Sequence, residues 1–550
     1  MQEHPLQPEP MVLCCVPAFN TTNMKRFILI GSLLTASLPT IISCKKESFA
    51  DNYRNPGKVS ETTTEKQFTG MIYEFRSLIT PSYGAFFVTN RTTINLYIQN
   101  LGSVNQQDQL TPGSAAVEER WNKYYGGLVQ YKEFIRRYNA MSEEDKQLKK
   151  TMDYAARILF YDQTQQMVDL VGDIPWTAAG SLMANSGNYA ASYAKYDKAT
   201  DIYSSMLDDL KTISEAMDGL TVPANFAGIF KTQDLINNGD LALWQKYCNS
   251  LRLRMLMRVS DHPQFSTRAT SELAEMLNNS TKYPLILTNS DNAQLDVFNV
   301  SSDIKSEDLQ GALEAGGTWY ANFASKPMID EMNRTKDPRR QLLFETGEKA
   351  NKAYIGLDQS LTAVQQTAVI QGSTPSFVHR HTISRNKFLP GLLVSASEVN
   401  FLLAEYFNKQ GNPSKAKSAF ETALKESVAF YSSISDKSDD NTIAKAATPS
   451  LAEISAFIAA VDWDGASNKI QLIATQRWLH FNFYQAPQNW AEQRRLDYPK
   501  FTIPTFSSDK QKTVPFKLTL PQSEATYNAE NYAAVKAQDN PNVKLFWDIN

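Results

Sequence analysis

Cys44 is the residue best placed for covalent chemistry. It closes the run from Met24 to Cys44, in which Lys25 and Arg26 precede a short apolar stretch ending Ile41-Ile42-Ser43-Cys44. This is the anatomy of a secretory signal that ends in a bacterial lipobox. Small or β-branched residues admit the lipoprotein peptidase, and the Cys44 thiol takes the lipid. The apolar stretch is shorter than the roughly 20 residues of a comfortable bilayer span, and Lys45, Lys46 and Glu47 follow at once. The mature chain is therefore expected to begin at Cys44, outside the cytoplasm and tethered to a membrane. Residues 1–23 are expected to be an over-extended start, and residues 24–43 the signal.

Catalytic chemistry finds little support. The chain has no phosphate-cradling glycine loop, no Gly-x-Ser-x-Gly elbow and no His-Glu-x-x-His. Of its 5 histidines, His379 and His381 would share one face of a strand, but no third ligand stands near them in sequence, so a structural role is favoured. Asp169 and Asp173 flank Leu-Val-Gly at a helix end, where capping is the commoner role. Asp462-Trp463-Asp464-Gly465 lacks the full calcium-loop pattern, so no cofactor is expected and calcium stays open. Arg252, Arg254 and Arg258 share one helical run and, like Arg494 and Arg495, are expected to anchor interior ion pairs. Only Cys248 remains of 4 cysteines once Cys14, Cys15 and Cys44 are set aside, and its helical context predicts a small buried thiol.

Non-covalent recognition fits the chain better. Aromatic residues make up 11% of the sequence, with 24 tyrosines and 8 tryptophans. Tyr83, Phe86 and Phe87, Trp319 and Tyr320, Trp463 and Trp490 stand in polar, loop-like surroundings. An exposed aromatic ring offers a face on which a sugar stacks while neighbouring polar groups bond its hydroxyls. A net charge of −3 carries no basic face for nucleic acid. Apolar content of 42% and charge of 21% are ordinary for a folded chain.

The positioning elements are mostly helical. Residues 44–65 read as a polar tether leading into one domain over 66–550. Leu128, Val129, Phe134 and Ile135 recur at helical offsets, as do Met152, Ala155, Ala156, Leu159 and Phe160. The second helix is expected to stop at Gly172, with Pro175 just beyond. From Glu398 to Tyr431, the residues Leu403, Ala404, Phe407, Gly411, Ala416, Phe420 and Ala423 fall at tetratricopeptide offsets. A weaker echo begins at Tyr196-Asp197-Lys198-Ala199. Such hairpins cannot bury their own apolar faces and must stack. Tyr283 to Val300 and Val378 to Leu389 alternate as short strands do, and Gly316-Gly317 marks a loop.

Several motifs occur together in a telling order. Met167 to Trp176 contains Asp-Leu-Val-Gly-Asp-Ile-Pro-Trp; Tyr196-Asp197 and Ile202-Tyr203 follow; then come Asp240, Trp244 and Asn249 to Arg254. Asp337-Pro338-Arg339, Tyr354 to Leu357, the Glu398 to Glu405 helix, Gln476-Arg477-Trp478, Trp490, Arg494 to Pro499 and Trp547-Asp548 complete the set. This ordered set resembles the SusD/RagB-like outer-membrane lipoproteins of Bacteroidetes, in particular their second SusD-like branch. The resemblance implies a mostly α-helical SusD-like fold, with tetratricopeptide-like hairpins as scaffold, long irregular loops and a few short strands. It also implies a non-catalytic surface lipoprotein of the outer membrane that captures oligosaccharide as lid of a SusC-like TonB-dependent transporter, or that takes peptide or other non-glycan cargo in the same role. No site residue carries over from the family. The candidate ligand contacts are Tyr83, Phe86, Trp319, Tyr320 and Tyr354, aromatic residues in irregular stretches.

Overall fold

The computed structural model describes residues 62–314 and 323–550. The lipidation site Cys44 and the aromatic pair Trp319 and Tyr320 lie outside the described residues. The described chain is a helical scaffold with short strands at its margins. Helix α1 (Thr64–Ile79) starts at Thr63, whose side chain accepts from Lys66 N. It packs on α2 (Ser114–Asn139) through Gly127, where a Cβ would come within 2.1 Å of the Phe75 ring. Only glycine permits that approach. Helix α3 (Lys150–Val171) is buried over most of its surface and stops at Gly172 with φ +92°, as the sequence predicts.

Helices α4 (Ala199–Met217), α5 (Leu241–Val259) and α6 (Ser266–Asn278) continue the stack. The expected tetratricopeptide-like hairpin is α7 (Ala396–Lys409) with α8 (Pro413–Lys437), and Gly411 turns between them at φ +67°. Its interface forms a smaller core of Phe401, Ala404, Ala416, Phe420, Ala423 and Leu424, closed by Phe457 and Trp463. Helices α9 (Lys469–Phe481) and α10 (Ala486–Leu496) complete the scaffold. The weaker echo resolves differently: Tyr196–Asp197 is a strand, and the helix proper starts at Ala199.

Eight short strands are present among the described residues: β1 (Leu101–Gly102), β2 (Ile174–Pro175), β3 (Tyr196–Asp197), β4 (Ala293–Leu295), β5 (Phe323–Ala324), β6 (Phe344–Glu345), β7 (Phe377–Val378) and β8 (Gly391–Val394). They pair antiparallel as β1-β5-β7-β6, β2-β3 and β4-β8. The strand expected over Val378 to Leu389 is corrected. After β7 the chain closes into a π-helix, Arg380–Ser384, because the His379 side chain accepts from Thr382 N and caps the turn. From Tyr283 to Val300, only Ala293–Leu295 is strand.

The arginines predicted to anchor interior ion pairs do so. Arg252 meets Glu272 at 2.5 Å, Arg254 meets Glu398 at 2.6 Å and Asp162 at 3.0 Å, and Arg258 meets Asp169 at 2.6 Å. Arg495 pairs with Glu405 and Glu492. Arg494 departs from the expectation. Its guanidinium donates to the carbonyls of Phe516 and Asp169 and lies 3.8 Å over the Trp490 ring. Burial without a carboxylate in contact pushes it down to about 9. Cys248 is buried, as expected, and burial pushes its thiol up to about 12.

Candidate ligand-binding site

Three irregular segments meet at a cleft of about 800 Å³: residues 305–310, residues 384–387 and residues 439–442. Each wall is fixed by its own local chemistry. Asp308 adopts φ +47° and its carboxylate accepts from Gly311 N at 3.0 Å, starting the short helix Leu309–Leu313. The second wall is the end of the π-helix. The third is an Asx turn in which Asp440 accepts from Thr442 N, Thr442 Oγ1 and Ile443 N. Burial pushes the Asp440 carboxyl up, but those hydrogen bonds and nearby Arg385 hold it below its ordinary value.

Arg385, in the second wall, bonds to the third wall and to Glu314 at the end of the short helix that follows the first. It forks onto Glu314, with Nε to Oε1 at 2.9 Å and Nη2 to Oε2 at 2.7 Å, and its Nη1 donates to Thr442 Oγ1 at 2.8 Å. Ser306 Oγ donates to Asn386 O at 3.0 Å, and Lys387 N to Asp439 Oδ1 at 3.0 Å. The cleft therefore presents charges of both signs, from Lys305, Glu307, Arg385, Lys387, Asp439 and Asp440, on backbone that is tied down.

An aromatic pair stands beside it. Tyr83 and Phe87 stack with ring centroids 4.8 Å apart and planes 24° from parallel. The π-helix Gly84–Asn90 sets that spacing, and both rings are only partly buried. The pair is bound to the cleft through backbone: Tyr83 N donates to Glu307 O at 2.8 Å, and Glu307 N donates to Pro81 O at 3.1 Å. Nearby, Tyr73 Oη donates to Asp303 at 2.7 Å, while Phe298 on the same loop is 70% exposed.

The candidate contacts thus divide. Tyr83 is tied through backbone to Glu307, a cleft residue, although its ring is not part of the cleft lining. Phe86 is a core residue, and that expectation is corrected: it is 3% exposed, because the π-helix that leaves Phe87 partly exposed turns Phe86 inward, edge-on to Phe483. Phe86→Leu should therefore lower the unfolding free energy by about 1–3 kcal/mol, read from the denaturation midpoint. Tyr354 is half-buried beneath Arg340, 4.5 Å from its ring centroid, and lines no part of the cleft. Trp463 and Trp490, expected in loops, are core residues; Trp463 packs 4.9 Å from Phe420. Phe87 is among the loop-like aromatics of the sequence but not among the candidate contacts, and the polar walls carry no sequence signal. Adjacent Phe86 and Phe87 give no signal of which one faces out, and the walls come from segments far apart in the chain.

The acidic candidates have structural partners. Asp169 accepts from Tyr203, Trp547 and Arg258, and Asp173 accepts from Ala199 N. Asp462 accepts from Gly465 N, and Asp464 pairs with Lys417. Both ring nitrogens of His381 face backbone carbonyls. Among the described residues no group of three or more His, Cys, Asp or Glu could hold a metal ion. A second groove, of about 750 Å³, lies between α2 and residues 177–187, but Val129, Leu182 and Met183 give it mainly apolar walls.

A family model described as "Starch-binding associating with outer membrane" matches residues 56–521. No curated protein sequence matches the chain. Among solved structures, a SusD-like protein from Bacteroidetes AC2a is similar at a TM-score of 0.68 with 20% identity, covering 89% of this chain and 100% of that one. A chitin-binding protein aligns at a TM-score of 0.67 with 21% identity, over 88% of this chain and 100% of that one. A chitin-binding SusD homologue from Flavobacterium johnsoniae aligns at 0.66 with 19% identity, over 88% and 99%. Identities this low establish the common helical fold, and the family model spans most of the sequence. The chain belongs to the SusD-like family of proteins that associate with the outer membrane.

Proposed function

We propose that this protein captures oligosaccharide at the cell surface and serves, without catalysis, as lid of a SusC-like TonB-dependent outer-membrane transporter. The lipid on Cys44 anchors it to the outer membrane, facing the exterior, and no cofactor takes part. No described helix is long and apolar enough to cross a membrane. The observation that carries the reading is the polar cleft beside a stacked, part-exposed aromatic pair. Its size lies within the roughly 300–1,000 Å³ range of ligand sites. A sugar ring stacks on the part-exposed Tyr83, which Phe87 backs, while hydroxyls exchange hydrogen bonds with the walls. Membership of the family, whose description names starch, and structural neighbours that bind chitin support a glycan cargo.

The charge of the cleft favours a second reading, the same lid with peptide or other non-glycan cargo. A calorimetric screen of the chain beginning after Cys44 separates the two. Chitin- and starch-derived oligosaccharides, other plant, host and microbial glycans and a peptide mixture are titrated in turn. One glycan class should bind, longer chains more tightly than single sugars because several modest contacts act together, and no product should form. Binding of peptides with silence on every sugar would replace the first reading by the second. Release of a shortened sugar would refute the non-catalytic role.

A further inference from the structure

The cleft has a histidine behind it whose hydrogen bonds cannot all be made by the neutral ring. His381 lies in the π-helix that leads into one wall, and it is 6% exposed. Its Nδ1 is 2.9 Å from Asp440 O, and its Nε2 is 3.1 Å from Ser435 O. Both partners are carbonyl oxygens, which only accept. A neutral imidazole has one N–H and can satisfy one of them, whereas the imidazolium donates to both. One of those carbonyls belongs to the Asx turn that forms the third wall.

We infer that His381 is a proton-operated positioning residue: in its doubly protonated form it clamps the 439–442 wall to the π-helix and holds the cleft in its ligand-binding shape. The inference rests on reading this cleft as the ligand site. The Asp440 carboxylate lies 3.9 Å from Nδ1. His379 lies 6.4 Å away between ring centroids, and burial pushes His379 down to about 4. The remaining charges of the π-helix are paired, Arg380 with Glu345 and Arg385 with Glu314. At the end of α8, Asp436 and Lys437 are exposed, and Asp436 pairs with Lys445.

Loss of the proton leaves other links standing. Ser438 Oγ donates to His381 O at 2.6 Å, Asn386 Nδ2 to Ile434 O at 3.1 Å and Thr382 Oγ1 to Ser435 Oγ at 3.2 Å. The neutral state therefore loosens one turn and does not unfold the domain. Such local opening is read by amide hydrogen exchange.

Exchange of the amides of residues 438–443 should be compared at about pH 5.5 and about pH 8, corrected for intrinsic rates, in the chain beginning after Cys44. Protection should fall several-fold at the higher pH, and His381→Gln should remove the difference. Nitrogen-15 shifts of the unmutated protein test the same point without a variant. Both ring nitrogens protonated at the acid end supports the clamp; a single neutral tautomer throughout overturns it, as does equal protection at both pH values. Titration of chito- and malto-oligosaccharides at the same two pH values tests the coupling, with several-fold tighter binding expected at the lower pH. PH-independent affinity would overturn the positioning role. If no sugar binds while the exchange switch is intact, the cleft reading fails and the clamp does not.

Discussion

Glu492→Gln is expected to lower the unfolding free energy by about 3–5 kcal/mol, measured by chemical denaturation. Glu492 is 4% exposed and lies within ion-pair distance of three guanidiniums: Arg495 at 2.6 Å, Arg477 at 2.7 Å and Arg258 at 2.9 Å. Only the Arg495 contact is also a directed hydrogen bond. The other two work by charge alone. Asp169 and Glu405 complete the set, giving three carboxylates against three guanidiniums in the interior. The amide keeps the size of the side chain and removes its charge, so one buried cation is left without compensation. That penalty is the reason breaking a buried pair costs more than an exposed pair contributes. Glu405→Gln should behave in the same way. A loss below about 1 kcal/mol in both would mean that the network is no more than a surface pair in its energetics.

The same network sets the acid response. Burial pushes the Glu405 carboxyl up, but Arg495, Arg477 and Lys409 outweigh it and hold the group down to about 2. Glu492 is likewise held well below the carboxylate range against its burial, by Arg477, Arg495 and Arg258. Both folded-state values lie below the unfolded value of about 4.3. The stability they contribute is therefore present above that unfolded value and is lost as pH falls through the folded values.

The scaffold was far more legible in the sequence than the site. The hairpin of α7 and α8 could be read because small residues, a turn glycine and large apolar residues recur at fixed offsets that only packed helices satisfy. Arg252, Arg254 and Arg258 could be read because charges on the buried face of a helix require partners. Local pattern fails where long-range pairing decides. Trp463 sits between two aspartates in a polar run, yet it is buried against Phe420 of helix α8. Arg494 stands next to Arg495 in sequence, but one meets carbonyls and the other carboxylates. The cleft was least legible of all, since Lys305, Arg385 and Asp440 come from three loops with no shared motif. The π-helices at Gly84–Asn90 and Arg380–Ser384 have no periodic signature, and they decide which side chains reach it.

Tyr83→Ala should weaken binding of the captured oligosaccharide at least tenfold, which is about 1.4 kcal/mol, with little change in thermal stability. The loss is of the size expected of one aromatic contact. Tyr83 is the part-exposed candidate whose backbone is bonded to a cleft residue, and its ring is stacked on Phe87 before any ligand arrives. Its backbone bond to Glu307 fixes that ring relative to the polar wall. A platform fixed in this way loses little side-chain freedom on binding, so more of the stacking energy reaches the affinity. Tyr83→Phe separates the ring from its hydroxyl and should retain most of the affinity if stacking is the contribution. Phe86→Leu supplies the contrast, since it should move the denaturation midpoint instead. If Tyr83→Ala unfolds the protein early while the surviving folded fraction binds sugar normally, Tyr83 is a packing residue and the aromatic platform lies elsewhere on the surface.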